Sequence, residues 1–167
     1  MTVVDTHPVL LRALIDPSVL ACVEQLFGST SYRLFHSWFA NRTPNVKPTI
    51  HWHADHQRHE ARWGLKVEVS WYLTRATREN GCLRLIPGSH TAPEGQIVAE
   101  LVNAARTRRV KPWRSCDVVH PREITLELDR DQWLLRQGGV WHCTHRNTTS
   151  AIRYMYSWSY CDLRDPR

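Results

Sequence analysis

At 167 residues, 42% hydrophobic and 23% charged, the chain is sized for one folded domain with its own core, and this composition excludes a low-complexity or disordered polypeptide. The formal net charge is +6, but no recognition-helix or zinc-finger pattern accompanies it, so nucleic acid is not an expected partner. No apolar run approaches the ~20 residues of a membrane span, Asp5 and His7 interrupt the apolar start where a signal peptide would lie, and the five cysteines are odd in number with no CxxC spacing, so reduced thiols in the cytoplasm are expected.

In chain order, two helices are predicted over about 8–28. Val9 to Ile15 form a short apolar stretch; Asp16 is placed as an N-cap ahead of Pro17, and Gly28 as a stop. Tyr32, Leu34, Trp38 and Phe39 lie in strand-like segments, Asn41 to Pro48 in a loop, and Thr49 to His53 in a short strand. Leu65 to Leu73 is a strand, with Leu65, Val67, Val69 and Trp71 alternating with Lys66, Glu68 and Ser70. Glu79, Asn80 and Gly81 make a turn into a strand over Cys82 to Ile86. The stretch from about 91 to 121 reads as a surface insertion with a helix over Ile97 to Ala105, followed by the basic cluster Arg106, Arg108, Arg109, Lys111 and Arg114. Strands follow at Glu123–Leu128, Trp133–Leu135, Val140–Thr144 and Ile152–Tyr160. Many short strands behind N-terminal helices predict a mainly β domain spanning 1–167, with a jelly-roll or cupin-like barrel over about 30–160.

The segment from His51 to His56 concentrates potential metal ligands. On a strand, His53 and Asp55 share a face and present an imidazole and a carboxylate to one point. His51 shares that parity and is a ligand if the register differs; His56 and His59 fall in the loop beyond. The best third ligand is His142, on a strand after Gly138-Gly139. Two histidines and one carboxylate make the facial triad of non-haem Fe(II) oxygenases. Thr144 shares the face of His142, and Arg153 on the next strand reaches back beside it. Its planar guanidinium suits a carboxylate, so the pair would hold the distal carboxylate of a dicarboxylic cosubstrate whose other end chelates the iron.

Three stretches in order then carry a resemblance: Trp52-His53-Ala54-Asp55; Asn80 to His90, which reads NGCLRLIPGSH; and Trp141 to Asn147 followed by Arg153. Together they resemble the phytanoyl-CoA dioxygenase family of Fe(II)/2-oxoglutarate oxygenases. The resemblance implies a double-stranded β-helix, iron on His53, Asp55 and His142, and 2-oxoglutarate held by Arg153 and Thr144. It also implies Trp71 packing beside the cosubstrate and Asn147 organising the loop after His142. Asn41 and Arg42 are candidates for a further cosubstrate contact, and Trp52, Trp63 and His56 for pocket walls. The implied reaction is O2-dependent oxidation of a small organic substrate, with succinate and CO2 released; halogenating relatives have Gly or Ala where Asp55 stands, so Asp55 favours hydroxylation, with desaturation or ring closure as the other outcomes. The basic cluster hints at an anionic substrate. Family members carry more chain before the first helices, so a sheet edge is left that a second copy of the chain would cover, and a truncated, non-catalytic barrel binding a small anion or a partner is the competing reading.

Overall fold

A computed structural model describes residues 7–45, 50–55, 65–93 and 95–164. Helices α1 (Pro8–Leu14) and α2 (Pro17–Phe27) stand where the caps place them. Asp16 accepts hydrogen bonds from the Ser18 and Val19 amides, Pro17 needs no amide partner at the first position, and Gly28 ends α2 in the left-handed region at φ 62°. The strands are β1 (Tyr32–Phe39), β2 (Lys66–Tyr72), β3 (Leu83–Leu85), β4 (Ile124–Leu126), β5 (Trp133–Gln137), β6 (His142–Thr144) and β7 (Met155–Asp162), with helix α3 (Gln96–Thr107) between β3 and β4.

Two antiparallel sheets result, a larger one in the order β1-β7-β2-β5 and a smaller one in the order β4-β3-β6. One face of the larger sheet is apolar. Val67 and Val69 of β2 and Tyr156, Trp158 and Tyr160 of β7 pack against Ala13, Leu14, Val19, Val23 and Phe27 of the helices. Each such side chain contributes about 1.5–3 kcal/mol on full burial, which fixes the sheet against the helix pair. The opposite face looks toward the smaller sheet and lines a cavity of about 240 Å³ between them.

The alternation in β2 is real, and Lys66, Glu68 and Ser70 are buried like their apolar neighbours, because their face turns into the barrel. Two expectations are corrected here. The predicted strand up to His53 is reduced, within the described residues, to a single bridge between His53 and His142. The stretch 91–121 is no surface appendage: Ile97, Leu101 and Ala105 of α3 join Trp52, Ile86, Val118 and Cys143 in a second core behind the smaller sheet. The amphipathic spacing of α3 supplies that buried face.

Candidate metal centre and anion pocket

The bridge that holds His53 is made with His142 itself: the His53 amide donates to the His142 carbonyl at 3.0 Å, and the His142 amide to the His53 carbonyl at 2.8 Å. The imidazoles therefore stand side by side with centroids 4.2 Å apart. Each ring is oriented the same way. His53 Nδ1 donates to the His51 carbonyl at 2.7 Å, and His142 Nδ1 to the Val140 carbonyl at 2.9 Å. A carbonyl only accepts, so both Nδ1 atoms carry the proton and both Nε2 atoms keep a free lone pair. Those two atoms face Asp55 Oδ1, at 3.3 Å from His53 and 3.8 Å from His142. One ligand atom from each of the three residues lies within 4.8 Å of the others.

The electrostatics suit a cation. Burial pushes the Asp55 carboxyl up, but the charge of Arg136 and the hydrogen bond from its guanidinium outweigh it and hold the group well below the usual carboxylate range. His142 is pushed down to about 3, first by burial and then by Arg136, so its ring is neutral at physiological pH. An ionised Asp55 carboxylate and a neutral His142 imidazole are in the protonation states that a divalent metal requires.

Thr144 and Arg153 line the same cavity as the triad. Arg153 is 2% exposed, and burial lowers its pKa. Its guanidinium stacks on the Tyr72 ring at 5.5 Å. Arg153 Nε and Nη1 and Thr144 Oγ1 are buried and have no hydrogen-bond partner among the described residues. A buried cation with idle donors is costly unless an anion completes it. Arg42 faces the same end: its backbone bridges Arg153, and it lines the cavity. Burial and the charge of Arg153 push its guanidinium down to about 10. Idle donors beside a His-Asp-His set fit a carboxylate-bearing chelator on Fe(II), which is what 2-oxoglutarate offers.

The motif between Asn80 and His90 is architecture. Ser89 Oγ accepts the Trp141 amide at 2.8 Å and so ties the 3-10 turn Ser89–Thr91 to the strand carrying His142. Gly81 has φ +93°, and a Cβ there would meet the His145 carbonyl at 3.1 Å. Asn147 donates to the Arg42 carbonyl at 2.6 Å and the Ala151 carbonyl at 2.8 Å and accepts from Thr149 Oγ1 at 2.8 Å, shaping the loop that delivers Arg153.

Several candidates stand elsewhere. Trp71 points to the helix side of β2 and stacks on Trp133 at 5.6 Å, so it does not line the cavity that holds the triad and Arg153. One-residue parity gives that place to Tyr72. Trp52 is fully buried in the second core, where its Nε1 donates to the Val118 carbonyl, and is not a pocket wall. The His51 ring is exposed and outside the ligand cluster. His56, His59 and Trp63 lie outside the described residues. Sequence reasoning missed Tyr72 and Arg136; the parity of β2 would have found the first, while the second shows only once β2 and β5 are paired.

Two histidines and a carboxylate on one side of a double-sheet barrel, facing an uncompensated arginine, define the class of non-haem iron oxygenases built on the jelly roll. Residues 2–155 match the family described as Phytanoyl-CoA dioxygenase (PhyH), and the chain belongs to that family. It is 28% identical over 138 residues to an ectoine dioxygenase of Bordetella bronchiseptica, covering 80% of this chain and 41% of the relative. An ectoine dioxygenase of Bordetella parapertussis is 27% identical over 138 residues, with the same coverage. The chain thus spans about two-fifths of the length of the curated relatives it matches. Among solved structures, EctD from S. alaskensis with 2-oxoglutarate and 5-hydroxyectoine superposes at TM-score 0.74, with 20% identity over 98% of this chain and 55% of that one. Apo HygX from Streptomyces hygroscopicus does so at TM-score 0.76, with 18% identity over 97% of this chain and 70% of that one. These similarities establish the jelly-roll fold.

Proposed function

We propose that the chain, residues 1–167 acting as one catalytic domain, is an Fe(II)/2-oxoglutarate-dependent oxygenase that hydroxylates a C–H bond of a small organic molecule. The observation that carries this reading is the buried, uncompensated Arg153, with Thr144 beside it, lining one cavity with His53, Asp55 and His142. His53, Asp55 and His142 would hold Fe(II); Arg153 and Thr144 would take the far carboxylate of 2-oxoglutarate, with Arg42 adding positive charge at that end. When bound, iron and 2-oxoglutarate supply the O2-dependent oxidation that releases succinate and CO2. The protein's part is to fix both imidazoles through their Nδ1 protons, keep Asp55 ionised and exclude bulk water from the carboxylate end. A truncated barrel that only binds an anion would have no need for this pair of oriented imidazoles.

An anionic substrate is favoured by the exposed Arg106, Arg108, Arg109, Lys111 and Arg114, because the Arg114 carbonyl accepts the Trp52 amide at 2.7 Å and sets that loop beside the ligand segment. If replacing these five by glutamine leaves the KM of every accepted substrate unchanged, the idea fails. All five cysteines are free, which supports a reducing compartment such as the cytoplasm; no helix among the described residues is long and apolar enough to cross a membrane. Strand β1 ends the larger sheet, and its open edge is where a homo-oligomer would pair; a concentration-independent monomer mass would rule this out.

The reading is tested without oxygen and without knowing the substrate. Fe(II) and 2-oxoglutarate added to the protein are expected to give a weak visible charge-transfer band. It should vanish in His53→Ala and need far more 2-oxoglutarate in Arg153→Ala. A folded wild type that takes up iron but shows no band would overturn the proposal.

A further inference from the structure

The two oxygens of Asp55 are used differently. Oδ1 faces the Nε2 atoms of both histidines. Oδ2 is taken by the guanidinium of Arg136, which donates through Nη2. Arg136 sits on β5, directly opposite Glu68 on β2, where side chains of a cross-strand pair meet. Glu68 is 1% exposed and is ion-paired through Oε1 to Lys66 Nζ at 2.6 Å. The row Lys66, Glu68, Arg136, Asp55 therefore alternates in sign along the buried inner face of the larger sheet and ends at the ligand triad. A row of four charges, Lys66 and Glu68 buried and Arg136 and Asp55 half-buried, is costly to build. Its apolar replacement would pack as well, so its presence calls for a role at the end it reaches.

We propose that Arg136, backed by Glu68, is a positioning residue that keeps Asp55 a one-oxygen ligand. The guanidinium occupies Oδ2, so only Oδ1 is offered to the metal beside the two imidazoles. Without that partner the carboxylate is free to rotate and present both oxygens, filling a position that the keto acid or O2 needs. Lysine at 136 keeps a charge and one donor but loses the rigid fork, so it restores the effect only in part. Glutamine at 68 leaves the guanidinium in place and removes the opposite charge across the strand pair.

This inference rests on the triad being the metal centre, and the test separates the two. Co(II) is titrated into metal-free protein without cosubstrate, and the d–d spectrum, which reads the ligand count, is recorded. 2-Oxoglutarate is then titrated into the Fe(II) form without oxygen. For Arg136→Met the expected result is near-normal Co(II) uptake, an altered d–d spectrum, and an apparent Kd for 2-oxoglutarate raised about 10–100-fold. Arg136→Lys and Glu68→Gln should fall between it and wild type; if Arg136→Met does not fold, those two carry the test. An unchanged d–d spectrum in all three variants overturns the proposal. If it comes with weakened 2-oxoglutarate binding, Arg136 touches the cosubstrate itself. A wild type that binds neither Co(II) nor Fe(II) overturns the oxygenase reading as well.

Discussion

His53 and His142 exchange both backbone hydrogen bonds of a single bridge, 3.0 Å one way and 2.8 Å the other. That pairing sets their rings side by side although the two residues lie far apart in the chain. It makes the candidate metal centre a cross-link between the segment 50–55 and strand β6. The two histidines differ in setting, since the His142 side chain is buried and that of His53 is 38% exposed. His53→Ala and His142→Ala are both expected to abolish measurable Fe(II) binding. Only His142→Ala should also lower the stability of the metal-free protein, by about 1–3 kcal/mol, since it leaves a cavity and an unpaired Val140 carbonyl. Metal titration and urea denaturation of the two variants side by side check this.

Arg153 yields an opposite pair of effects from one substitution. In the metal-free protein it is a buried charge with no facing carboxylate among the described residues; the groups that favour its charge are Tyr72 and Cys82. Replacement of a charge in that position by an apolar side chain of similar length is often stabilising, by about 1–4 kcal/mol. Arg153→Met is therefore expected to raise the melting temperature of the metal-free protein while weakening 2-oxoglutarate binding by a hundredfold or more, on the order of 3 kcal/mol for a lost charge-assisted bidentate contact. A destabilised Arg153→Met would show that the guanidinium is satisfied by the fold itself and is not waiting for an anion.

Much of this site is legible in the sequence because its parts are local. The H-x-D pair, the spacing of Thr144 from His142, and the caps of α2 depend on neighbours within a few residues. What fails depends on which face of a strand turns inward. In β2 the alternation alone does not say where each face points, and the barrel closes over Lys66, Glu68 and Ser70. The same parity sends Trp71 to the helices and Tyr72 to the pocket. Arg136 is invisible for a related reason: its partners, Asp55 and Glu68, come from two other segments. The stretch 91–121 reads as an appendage because what its apolar stripe packs against is set by the tertiary fold.

That stretch also supports the candidate metal centre. Arg84 on β3 donates to the Cys116 carbonyl, to the Val118 carbonyl at 2.9 Å and to Glu123 at 2.9 and 2.5 Å. Its guanidinium lies over the Trp52 ring at 5.2 Å. Trp52 is bound to the same loop through its backbone amide and through its indole N–H, one residue before His53. Arg84→Met strands a mostly buried carboxylate and takes a donor from two carbonyls, so a loss of about 3–5 kcal/mol is expected. Lysine, lacking the planar fork, should recover little of it. Because the loop holds the ligand segment, Fe(II) affinity should fall along with stability. A metal titration at a temperature where the variant is still folded separates the two; unchanged affinity there would show that Trp52 does not hold His53 in place.

Acid is expected to destabilise the metal-free protein through His142. Its folded pKa is about 3, against an ordinary 6.5, with burial the main cause and Arg136 the next. Between those values the unfolded chain takes up a proton that the folded chain refuses. Stability from this group is therefore fully present above the unfolded value and is lost progressively as the pH falls toward the folded one. Going from about pH 7 to about pH 5 should cost roughly 2 kcal/mol from His142 alone. His145, pushed down to about 4 chiefly by burial, acts in the same direction but is partly exposed and so contributes less. The depressed carboxyl of Asp55 works in the same sense at lower pH, outside this window. Urea unfolding of wild type and His142→Asn at the two pH values checks the assignment. The variant has a lower stability at neutral pH but should show a much flatter pH dependence, and equal slopes in the two proteins would assign the acid sensitivity to another group.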